Sequence, residues 1–460
     1  MPLPPRLRAL LNQSPELSRA YVVGGCVRDW LLGETPKDID VEVYGLDMDR
    51  LEQVLNRWGR VDRVGKAFGV LKLRLGDEGV FDFSLPRRDS KIAQGHRGFS
   101  VEFDPEISIQ EACARRDYTI NAILYDPRTD ALVDLFDGAR DLAEKRLRHI
   151  GPPFVEDPLR VLRGMQFCAR FDLEATPETA ALCASIVDSI AELPVERVWE
   201  EWWKWATKGR QLGRGIEFLR ASGWQSAYPE IDALTETPQD PQWHPEGDVW
   251  IHTCHCLNAL SSLESWRRLG ETERAILSLA TLAHDFGKPR TTVTEVRNGI
   301  ERVVSPGHDR LGADLSQTFL QKIGAPNHVM ERVPLLVAEH MSHTQVQSDR
   351  AVRRLANRLR PVTIDHLSIL MTADSMGRPP LPQTIRESVA DLVARAKLLN
   401  LKKHAPSPIL LGRHLIEFGM QPGKDFGDIL SAAFEAQLDG SFADEEGANQ
   451  WLRRFLDGQA

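Results

Sequence analysis

The sequence of 460 residues has little of three features that would restrict its class. Its apolar runs are too short to span a bilayer, so we expect no transmembrane helix and no membrane partner. The first residues show neither the apolar core nor the cleavage site of a signal peptide, and we therefore expect a cytoplasmic protein. The six cysteines lack the paired spacing of metal knuckles, and a chain of this length needs no disulfide staples, which favours reduced thiols.

Basic residues do not predominate either, since the formal net charge is −9. This balance argues against a nucleic-acid partner only for the chain as a whole, because binding depends on where basic side chains cluster. With 42% hydrophobic and 27% charged residues, the composition is that of an ordinary globular protein with room for about two to four domains. One local basic cluster comprises Lys145, Arg146, Arg148, His149, Arg160, Arg163 and Arg170.

The pattern along the chain predicts an α+β protein in four regions. Strands and helices mix near the N-terminus, whereas helical periodicity dominates from residue 141 onward. Proline-rich segments near 236–248 and 377–382 divide the helical part. The predicted regions are 1–140, 141–235, 236–380 and 381–460. The strand candidates are 20–24, 38–44, 69–75, 79–85 and 131–134.

Residues 21–44, YVVGGCVRDWLLGETPKDIDVEVY, hold the most informative pattern. An apolar run ends in Gly24 and Gly25, and glycines allow backbone N–H groups to approach a phosphate closely. The segment from residue 37 alternates polar and apolar side chains as a half-buried strand does, so Asp38 and Asp40 are expected on one face. Two carboxylates beside a phosphate-binding turn suit Mg²⁺-dependent phosphoryl or nucleotidyl transfer.

Taken alone, D-x-D is more often a solvated acidic strand. The longer pattern, GG-x-V-R-D followed by D-x-D, resembles the signature of the DNA polymerase β-like nucleotidyltransferases, in the bacterial class of CCA-adding enzymes and poly(A) polymerases. The resemblance implies a polymerase-β-like head with a mixed sheet, followed by an all-α neck, an HD domain and a C-terminal helical region. It also implies that Asp38 and Asp40 hold Mg²⁺, and that Gly24, Gly25 and Arg28 bind the nucleotide.

Residues 79–100 supply a third candidate carboxylate and a loop. Asp82 lies on the predicted strand 79–85, where the resemblance implies that it completes a two-metal site and takes the proton from the attacking hydroxyl. The basic, glycine-containing segment 85–100 is predicted to be a mobile loop. In the family, a loop here helps the enzyme switch from C to A, and its full length in this chain disfavours an enzyme that adds only C.

Residues 114–122, ARRDYTINA, match the family motif R-R-D-x-T-I-N-A with Tyr118 at the free position. The resemblance implies that Arg116 contacts the triphosphate, and that Asp117 and Asn121 contact the ribose or order the site. A ribose contact suits the selection of ribonucleotides, because a 2′-hydroxyl can donate to a carboxylate.

Residues 156–170, EDPLRVLRGMQFCAR, are predicted to begin a helix with Asp157 as N-cap and Pro158 at the first position. Asp157, Arg160 and Arg163 recur at i, i+3 and i+6 and so share one helix face. C and A each present an amine donor beside a ring-nitrogen acceptor, so an aspartate and an arginine can accept both and reject G and U. The segment matches the E-D-x-x-R motif to which the family assigns this selection, and Arg163 is expected near the phosphates or the primer.

Histidines gather in the region 236–380. Each alone would more often be an ordinary helix or core histidine, but the order H…HD…H…H…D on successive helices resembles the HD metal-dependent phosphohydrolases. Imidazole and carboxylate ligands can hold one or two divalent metals and lower the pKa of bound water. The resemblance implies Mg²⁺ or a transition metal such as Ni²⁺, Mn²⁺ or Co²⁺, with either His340 or His343 in the second site. The implied ligands are His252, His284, Asp285, His308, His340 and Asp374.

The sequence therefore predicts a CCA tRNA nucleotidyltransferase, which adds C, C and A to the tRNA 3′ end from CTP and ATP. The HD region is expected to hydrolyse phosphate esters, such as 2′,3′-cyclic phosphates or terminal phosphates at damaged tRNA ends. The alternatives are an A-adding enzyme, a poly(A) polymerase, an HD phosphohydrolase with an inactive head, and a pure RNA-binding module. A monomer and a homodimer both remain open.

Overall fold

The computed structural model describes residues 1–36, 38–64, 69–91, 99–346 and 348–458. The chain divides into two compact units, Met1–Ala227 and Tyr228–Ala460. The predicted division into four regions is finer than this and stays a prediction. Within the described ranges, a search of the helices finds none with the length and apolar character that crossing a bilayer requires.

Nine strands form before residue 134 in the part of the chain that the structure describes. They are β1 (Ala20–Val23), β2 (Asp40–Val43), β3 (Arg60–Val64), β4 (Val70–Arg74), β5 (Val80–Ser84), β6 (Arg87–Lys91), β7 (Phe99–Phe103), β8 (Leu124–Asp126) and β9 (Ala131–Val133). Seven of them form one mixed sheet in the order β3-β4-β5-β2-β1-β8-β9, while β6 and β7 pair as a separate hairpin. Strand β2 runs antiparallel to β1 and parallel to β5.

The sheet has one apolar face and one face that carries carboxylates. In β2 the buried valines alternate with Asp40 and Glu42, and in β5 the buried phenylalanines alternate with Asp82. The helices of this part are α1 (Pro5–Gln13), α2 (Gly25–Leu31), α3 (Met48–Asn56), α4 (Ile109–Ala114) and α5 (Gly138–Ala143). The leucines of α1 and α3 pack against the apolar face, which leaves the acidic face to the candidate site.

Several strands differ from the sequence prediction. Strand β2 begins at Asp40, so Asp38 lies in a bend before the strand and not on it. Strands β3 and β8 carry no strong alternation, and the prediction omitted them. The predicted loop 85–100 contains strand β6 and the start of β7, which pair with each other, and its central residues 92–98 lie outside the described part of the chain.

The rest of the first unit is mainly helical. Its helices are α6 (Leu159–Phe171), α7 (Pro177–Ala184), α8 (Val195–Lys208) and α9 (Leu212–Ala221), with two-residue strands β10 (Arg146–Leu147) and β11 (Glu174–Ala175) in parallel pairing. Helix α6 packs against α8 and α9 around the fully buried Trp202 and Trp205. The helices meet closely at Gly215, where an added Cβ would lie 2.7 Å from Trp205 and 2.9 Å from a backbone oxygen. A side chain here would push α9 away from α6.

The second unit consists of helices and one hairpin in the described residues. The helices are α10 (Pro229–Asp232), α11 (Val249–Ser262), α12 (Glu264–Arg267), α13 (Glu271–Ala283), α14 (Lys288–Thr291), α15 (His308–Lys322), α16 (Asn327–Met330), α17 (Val333–Glu339), α18 (Asp349–Arg358), α19 (Ile364–Met376), α20 (Glu387–Leu398), α21 (Gly412–Glu417), α22 (Asp425–Asp439) and α23 (Glu445–Leu456). The hairpin pairs β12 (Val293–Arg297) with β13 (Ile300–Val304) through a turn at Asn298 and Gly299, which both have positive φ. Helices dominate this part of the chain as predicted, and the hairpin is an addition that the sequence prediction did not include.

Helix α13 lies at the centre of the second unit. Its residues from Ala275 to Ala283 are all buried, and α11, α15, α17 and α19 contact it. Helix α11 begins at an N-cap, because the Asp248 carboxylate accepts from the N–H of Ile251 at 2.8 Å. The three C-terminal helices enclose a smaller apolar core around Leu415, Trp451 and Leu452. The central packing brings the ends of α11, α13, α17 and α19 together, and His252, His284 and His340 lie there.

Candidate active sites

A cavity of about 610 Å³ opens in the first unit beside the sheet. Nine of its eighteen lining residues are arginine or lysine, against three acidic ones, which makes it suited to a multiply charged anion. All nine residues predicted to bind the nucleotide line this one cavity. They are Gly24, Gly25, Arg28, Arg116, Asp117, Asn121, Asp157, Arg160 and Arg163.

The glycine pair forms the turn from β1 into α2. Gly24 has φ +77°, a conformation that only glycine adopts without strain, and it precedes the first residue of the helix. Arg28 is 5% exposed, and its Nη1 donates to Asn121 Oδ1 at 2.5 Å. Its guanidinium also lies over the Phe171 ring at 4.4 Å and the Phe167 ring at 5.4 Å. Arg28 therefore joins the turn to helix α6.

Asp117 is the centre of a hydrogen-bond network at the cavity wall. It is 6% exposed, and it accepts from Arg163 Nε at 2.7 Å, Asn121 Nδ2 at 2.9 Å and the N–H of Tyr118 at 2.7 Å. Burial opposes its charged form, but Arg163 and the two other donors outweigh burial and hold the pKa of Asp117 below its usual range. The network fixes Arg163 and Asn121 at the cavity.

Arg116 is held on the other side of the cavity. Its Nη2 donates to Glu42 Oε2 at 2.9 Å, and its Nη1 donates to the backbone oxygen of Asn121 at 3.0 Å. Burial lowers the pKa of Arg116, but Glu42 outweighs this effect and raises it, so the guanidinium stays charged. The sequence prediction did not include Glu42, although it lies two residues after Asp40 on the same strand face.

Asp157 and Arg160 lie next to the start of α6, but the N-cap position is taken by Pro158 and not, as predicted, by Asp157. Helix α6 begins at Leu159, and the Asp157 carboxylate accepts from the N–H of that residue at 3.2 Å. Its other oxygen accepts from Arg197 at 3.1 Å. Arg160 donates to two backbone oxygens, of Pro153 and of residue 115, at 2.7 Å each. Both side chains are therefore fixed in place before a base arrives.

The remaining members of the basic cluster divide into two groups. Arg170 lines the cavity together with Arg160 and Arg163. Lys145 and Arg148 instead form ion pairs with Asp172 and Asp141 in the first unit. Only the α6 members of the cluster thus contribute charge to the cavity.

The three predicted catalytic carboxylates lie on the sheet. Asp40 and Asp82 are register partners on the parallel strands β2 and β5, so their side chains share a face. Asp38 is exposed in the bend that precedes β2. Partial burial, the Asp82 carboxylate and the Asp38 carboxylate together raise the pKa of Asp40. A cluster in which carboxylates destabilise one another is the arrangement that a divalent cation relieves.

Lys72 faces Asp82 across the strand pair β4 and β5, and its Nζ lies 2.9 and 3.0 Å from the two carboxylate oxygens. The structure brings Asp40, Asp82 and Asp38 near one another, but not as close as the groups of ligands in the second unit. Among the described residues, the three groups whose ligand atoms lie within 4.8 Å of one another all come from residues after 243. Ion pairing with Lys72 thus occupies Asp82 in this form of the protein.

A second cavity, of about 440 Å³, opens among the histidines of the second unit. His284, Asp285 and Asp374 line it and are almost fully buried, and His252, which does not line the cavity, is fully buried. His252 Nε2 lies 3.3 Å from Asp374 Oδ1, and His284 Nε2 lies 3.3 Å from Asp285 Oδ2. The four ligands predicted for a first metal are thus in contact.

Asp285 also faces two further histidines. Its Oδ1 lies 3.5 Å from His308 Nε2 and 3.9 Å from His340 Nε2, while its Oδ2 faces His284. The two carboxylate oxygens therefore face different groups of histidines. A carboxylate in this position can bridge two metals.

Three histidines are oriented by the same local bond. His284, His308 and His340 each make a 2.7 Å hydrogen bond between Nδ1 and the backbone oxygen three residues earlier. A carbonyl only accepts, so each Nδ1 carries a proton, and in the neutral ring each Nε2 has a lone pair with which it can bind a metal. His308 Nε2 and His340 Nε2 are 3.2 Å apart, and two lone pairs at this distance favour a cation between them. The donor set fits a divalent metal.

The two candidates for the second site have different surroundings. His340 is grouped with Asp285 and His308, whereas His343 directs its Nδ1 to Ser388 Oγ at 2.9 Å and lies outside that group. His255 is exposed on α11. Sequence reasoning missed Glu246, whose Oε1 lies 2.8 Å from His252 Nδ1, and Cys256, which stands one helical turn after His252.

Cationic side chains complete the second cavity. Lys288 Nζ lies 2.7 Å from Asp285 Oδ2, and Arg386 lies 3.8 Å from Asp374 Oδ2, with Arg378 also in the lining. Trp243 lines the cavity and is 58% exposed. Positive charge beside a metal site, with an open aromatic face, suits a phosphate ester that carries a planar group.

Two family models match the chain. The poly A polymerase head domain matches residues 20–148, and the HD domain matches residues 249–392. The fold and the two cavities thus define a nucleotidyltransferase of the poly A polymerase type joined to an HD domain. This outcome confirms the predicted α+β architecture of a head, a helical neck and an HD domain.

Curated relatives narrow the class further. The chain is 34% identical to the multifunctional CCA protein of Xanthomonas oryzae pv. oryzae over 431 residues, which are 90% of this chain and 97% of the relative. It is 36% identical to the multifunctional CCA protein of Nitrosospira multiformis over 78% of this chain and 79% of the relative. The chain belongs to the family of multifunctional CCA proteins.

Solved structures share the fold at lower sequence identity. The Bacillus stearothermophilus CCA-adding enzyme in complex with CTP gives a TM-score of 0.66 at 21% identity over 99% of both chains. The Thermotoga maritima CCA-adding enzyme in complex with tRNA gives 0.62 at 20% identity over 99% of this chain and 96% of the other. These likenesses concern the fold alone.

Proposed function

We propose that the first unit adds C, C and A to the 3′ end of tRNA from CTP and ATP in the cytoplasm. The single observation that carries this proposal is the assembly of all nine motif residues around one basic cavity, whose lining also includes Glu42 from the strand that carries Asp40. The family to which the chain belongs supports it. The tRNA 3′-hydroxyl attacks the α-phosphate of the nucleotide, and pyrophosphate leaves with the charge that the arginines neutralise.

Each wall of the cavity has its own role. Gly24, Gly25 and Arg116 receive the triphosphate, because the turn allows close backbone approach and Glu42 holds the Arg116 guanidinium toward the cavity. Asn121 and the Asp117 network order the ribose side. Asp40 and Asp82, with Asp38, would hold Mg²⁺, which when bound neutralises phosphate charge and makes the attacking hydroxyl more acidic.

Base selection needs no nucleic-acid template in this arrangement. The Asp157 carboxylate accepts from the exocyclic amine of C or A, and the Arg160 guanidinium donates from an N–H that its backbone partners leave over. G and U would place a carbonyl against the carboxylate and leave buried polar groups unpaired. Arg197 holds the Asp157 carboxylate in its acceptor orientation.

A single assay tests the head. The protein is incubated with a tRNA transcript that lacks CCA, with Mg²⁺ and with CTP, ATP or both, and the 3′ ends are sequenced. We expect CC with CTP alone and CCA with both nucleotides. A single A on a CC-ended tRNA only, or a long A tail, would overturn the proposal in favour of an A-adding enzyme or a poly(A) polymerase. Asp157→Ala should accept UTP where the wild type rejects it.

A second activity is favoured by the second cavity. The Nδ1–H tautomers of His284, His308 and His340, together with the bridging position of Asp285, form a donor set that divalent metals require. Bound metal would lower the pKa of a water molecule and so supply hydroxide. Lys288, Arg378 and Arg386 would bind the phosphate of an ester such as a 2′,3′-cyclic nucleotide.

The test of this second activity measures phosphate-ester hydrolysis on 2′,3′-cyclic AMP, 2′-AMP and 3′-AMP with Ni²⁺, Mn²⁺, Co²⁺ or Mg²⁺. We expect hydrolysis of at least one ester that depends on added metal. Hydrolysis of none of them by the metal-loaded protein would overturn the second activity and leave the first intact.

A further inference from the structure

Cys256 lies inside the group of candidate metal ligands and has no role in the proposed hydrolysis. It follows His252 by four residues on α11, so both side chains lie on one helix face. Both are fully buried. Ligand atoms of His252, Cys256, His284 and Asp374 all lie within 4.8 Å of one another.

The distances fit a metal centre. Ligands of a tetrahedral metal with bonds of about 2.0–2.3 Å lie about 3.3–3.8 Å apart. Cys256 Sγ lies 3.4 Å from His252 Nε2, which in turn lies 3.3 Å from Asp374 Oδ1. His284 Nε2 is buried and makes no hydrogen bond within the described part of the chain. A buried imidazole nitrogen in this position is available to bind a metal.

The surrounding backbone fixes the thiol in this position. An added Cβ at Gly377 would lie 2.3 Å from Cys256 Sγ and 2.8 Å from its backbone nitrogen. The same residue supplies the carbonyl that lies 3.2 Å from His252 Nδ1. The end of α19 thus presses closely on α11 at the point where both ligands project. A cysteine that merely fills space would not need to meet the histidines, as Cys254 shows, since it is equally buried but outside the group.

We propose that Cys256 supplies a thiolate ligand to the metal held by His252, His284 and Asp374. The inference rests on the proposed metal site of the second unit and adds to it the class of metal. On binding, the S–H bond breaks, the proton goes to water, and a metal–sulfur bond forms without any change of oxidation state. A sulfur ligand favours transition metals such as Zn²⁺, Co²⁺ or Ni²⁺ over Mg²⁺, which takes oxygen ligands.

The test uses Co²⁺ as a spectroscopic probe on the full-length chain after removal of bound metal. A thiolate ligand gives near-ultraviolet charge-transfer absorption that nitrogen and oxygen ligands do not give. We expect this absorption in the wild type and in Cys254→Ser, which is a matched control on the same helix. Cys256→Ser should still bind Co²⁺, but without this absorption and at least about tenfold more weakly.

Each outcome decides one question. If Co²⁺ gives the wild type visible absorption bands that are lost in His284→Ala, but no charge-transfer absorption, the proposed metal site is correct and the proposed thiolate ligand is wrong. The same conclusion follows if Cys256→Ser keeps the absorption. If the wild type binds no Co²⁺ at all, the proposed metal site fails and the inference fails with it. Thermal unfolding of the metal-free variants shows whether each variant is folded. On binding Co²⁺, a folded Cys256→Ser protein should release one proton fewer than the wild type, which indicates the loss of a thiolate ligand.

Discussion

The two cavities hold their charged groups in opposite ways. In the first unit, carboxylates and arginines are paired with one another, as Asp117 is with Arg163 and Glu42 with Arg116, and a surplus of positive charge remains. In the second unit, the imidazoles donate away from the cavity and direct lone pairs into it. The first cavity is therefore ready for an anion, and the second is ready for a cation.

This difference explains how one chain can support two kinds of chemistry with similar charged and polar side chains. In the head, the candidate metal carboxylates face solvent, and Lys72 pairs with Asp82, which suits a metal that arrives with the nucleotide. In the second unit, the ligands are buried and fixed before any metal binds, which suits a resident ion. Four experiments test whether the two sites differ in this way.

The first removes a charge from the head. Asp40→Asn should lower nucleotide incorporation by at least about 10³-fold, because a metal ligand supplies several kcal/mol of transition-state stabilisation. Hydrolysis by the second unit should stay unchanged. Single-turnover incorporation with CTP is the measurement, and Asp77→Asn, an exposed carboxylate before β5, is the control. A parallel loss of both activities would show that the two sites are not independent.

The second experiment is the reverse. His284→Ala should lower metal-dependent ester hydrolysis by at least about 10³-fold, while incorporation stays within about twofold of the wild type. Initial rates on 2′,3′-cyclic AMP and on a tRNA transcript measure the two activities. His255→Ala, at an exposed histidine of α11, is the matched control. An unchanged hydrolysis rate in His284→Ala would remove this residue from the metal site.

The third tests the pairing of charges in the head. Asp117→Asn should lower the free energy of unfolding by about 2–3 kcal/mol at pH 7, because three donors lose a charged acceptor. A carboxylate with a lowered pKa stabilises the fold above its unfolded pKa of about 3.9 and loses this contribution as pH falls through its folded pKa. The difference in the free energy of unfolding between the variant and the wild type should therefore be largest at pH 7 and decrease below about pH 4.

Urea unfolding at several pH values measures this gap. Asp172→Asn, at a partly exposed carboxylate of the same unit, should cost much less. An equal gap at pH 7 and pH 3 would mean that the Asn side chain disturbs packing and that charge is not the cause.

The fourth concerns the orientation of a single ligand. Glu246→Gln should weaken metal binding by about tenfold, because the Glu246 carboxylate orients His252 without contacting the metal. Co²⁺ titration of the metal-free protein is the measurement. His284→Ala, which removes a ligand itself, should weaken binding far more. If Glu246→Gln binds metal as tightly as the wild type does, metal binding in the second unit does not depend on the orientation of His252 by Glu246.

The nine residues that the sequence predicted to bind the nucleotide line one cavity, because they belong to motifs of fixed spacing. Residues 24–28, 116–121 and 157–163 each lie on one local element, and the fold only had to bring three elements together. Arg197 was not assigned to the site, since its pairing with Asp157 joins residues forty positions apart on separate helices. Asp38 was misplaced onto a strand, because alternation continues past the point where the pairing of β2 with β1 begins at Asp40.

In the second unit, two local signals were present and not used. Asn298 and Gly299 lie between two β-branched runs, which is a strong hairpin pattern, yet the helical periodicity on either side obscured it. Cys256 was sought only in paired cysteine motifs, whereas its relevant spacing is to a histidine one helical turn away. The choice between His340 and His343 could not follow from sequence, because it depends on how α17 packs against α15.

Arg28 lies between the glycine turn and the aromatic side chains of α6, and this joint has a consequence for accuracy. In a template-dependent polymerase, the template strand determines which nucleotide is added next. If the proposed function is correct, the base is selected here by the distance between the turn that binds the phosphates and the helix that binds the base. Arg28 contacts Phe167 and Phe171 between these two elements. A change in the distance between the turn and the helix would therefore lead to incorporation of wrong nucleotides at the 3′ end of tRNA. The fidelity of CCA addition thus depends on how rigidly Arg28 holds the two elements together.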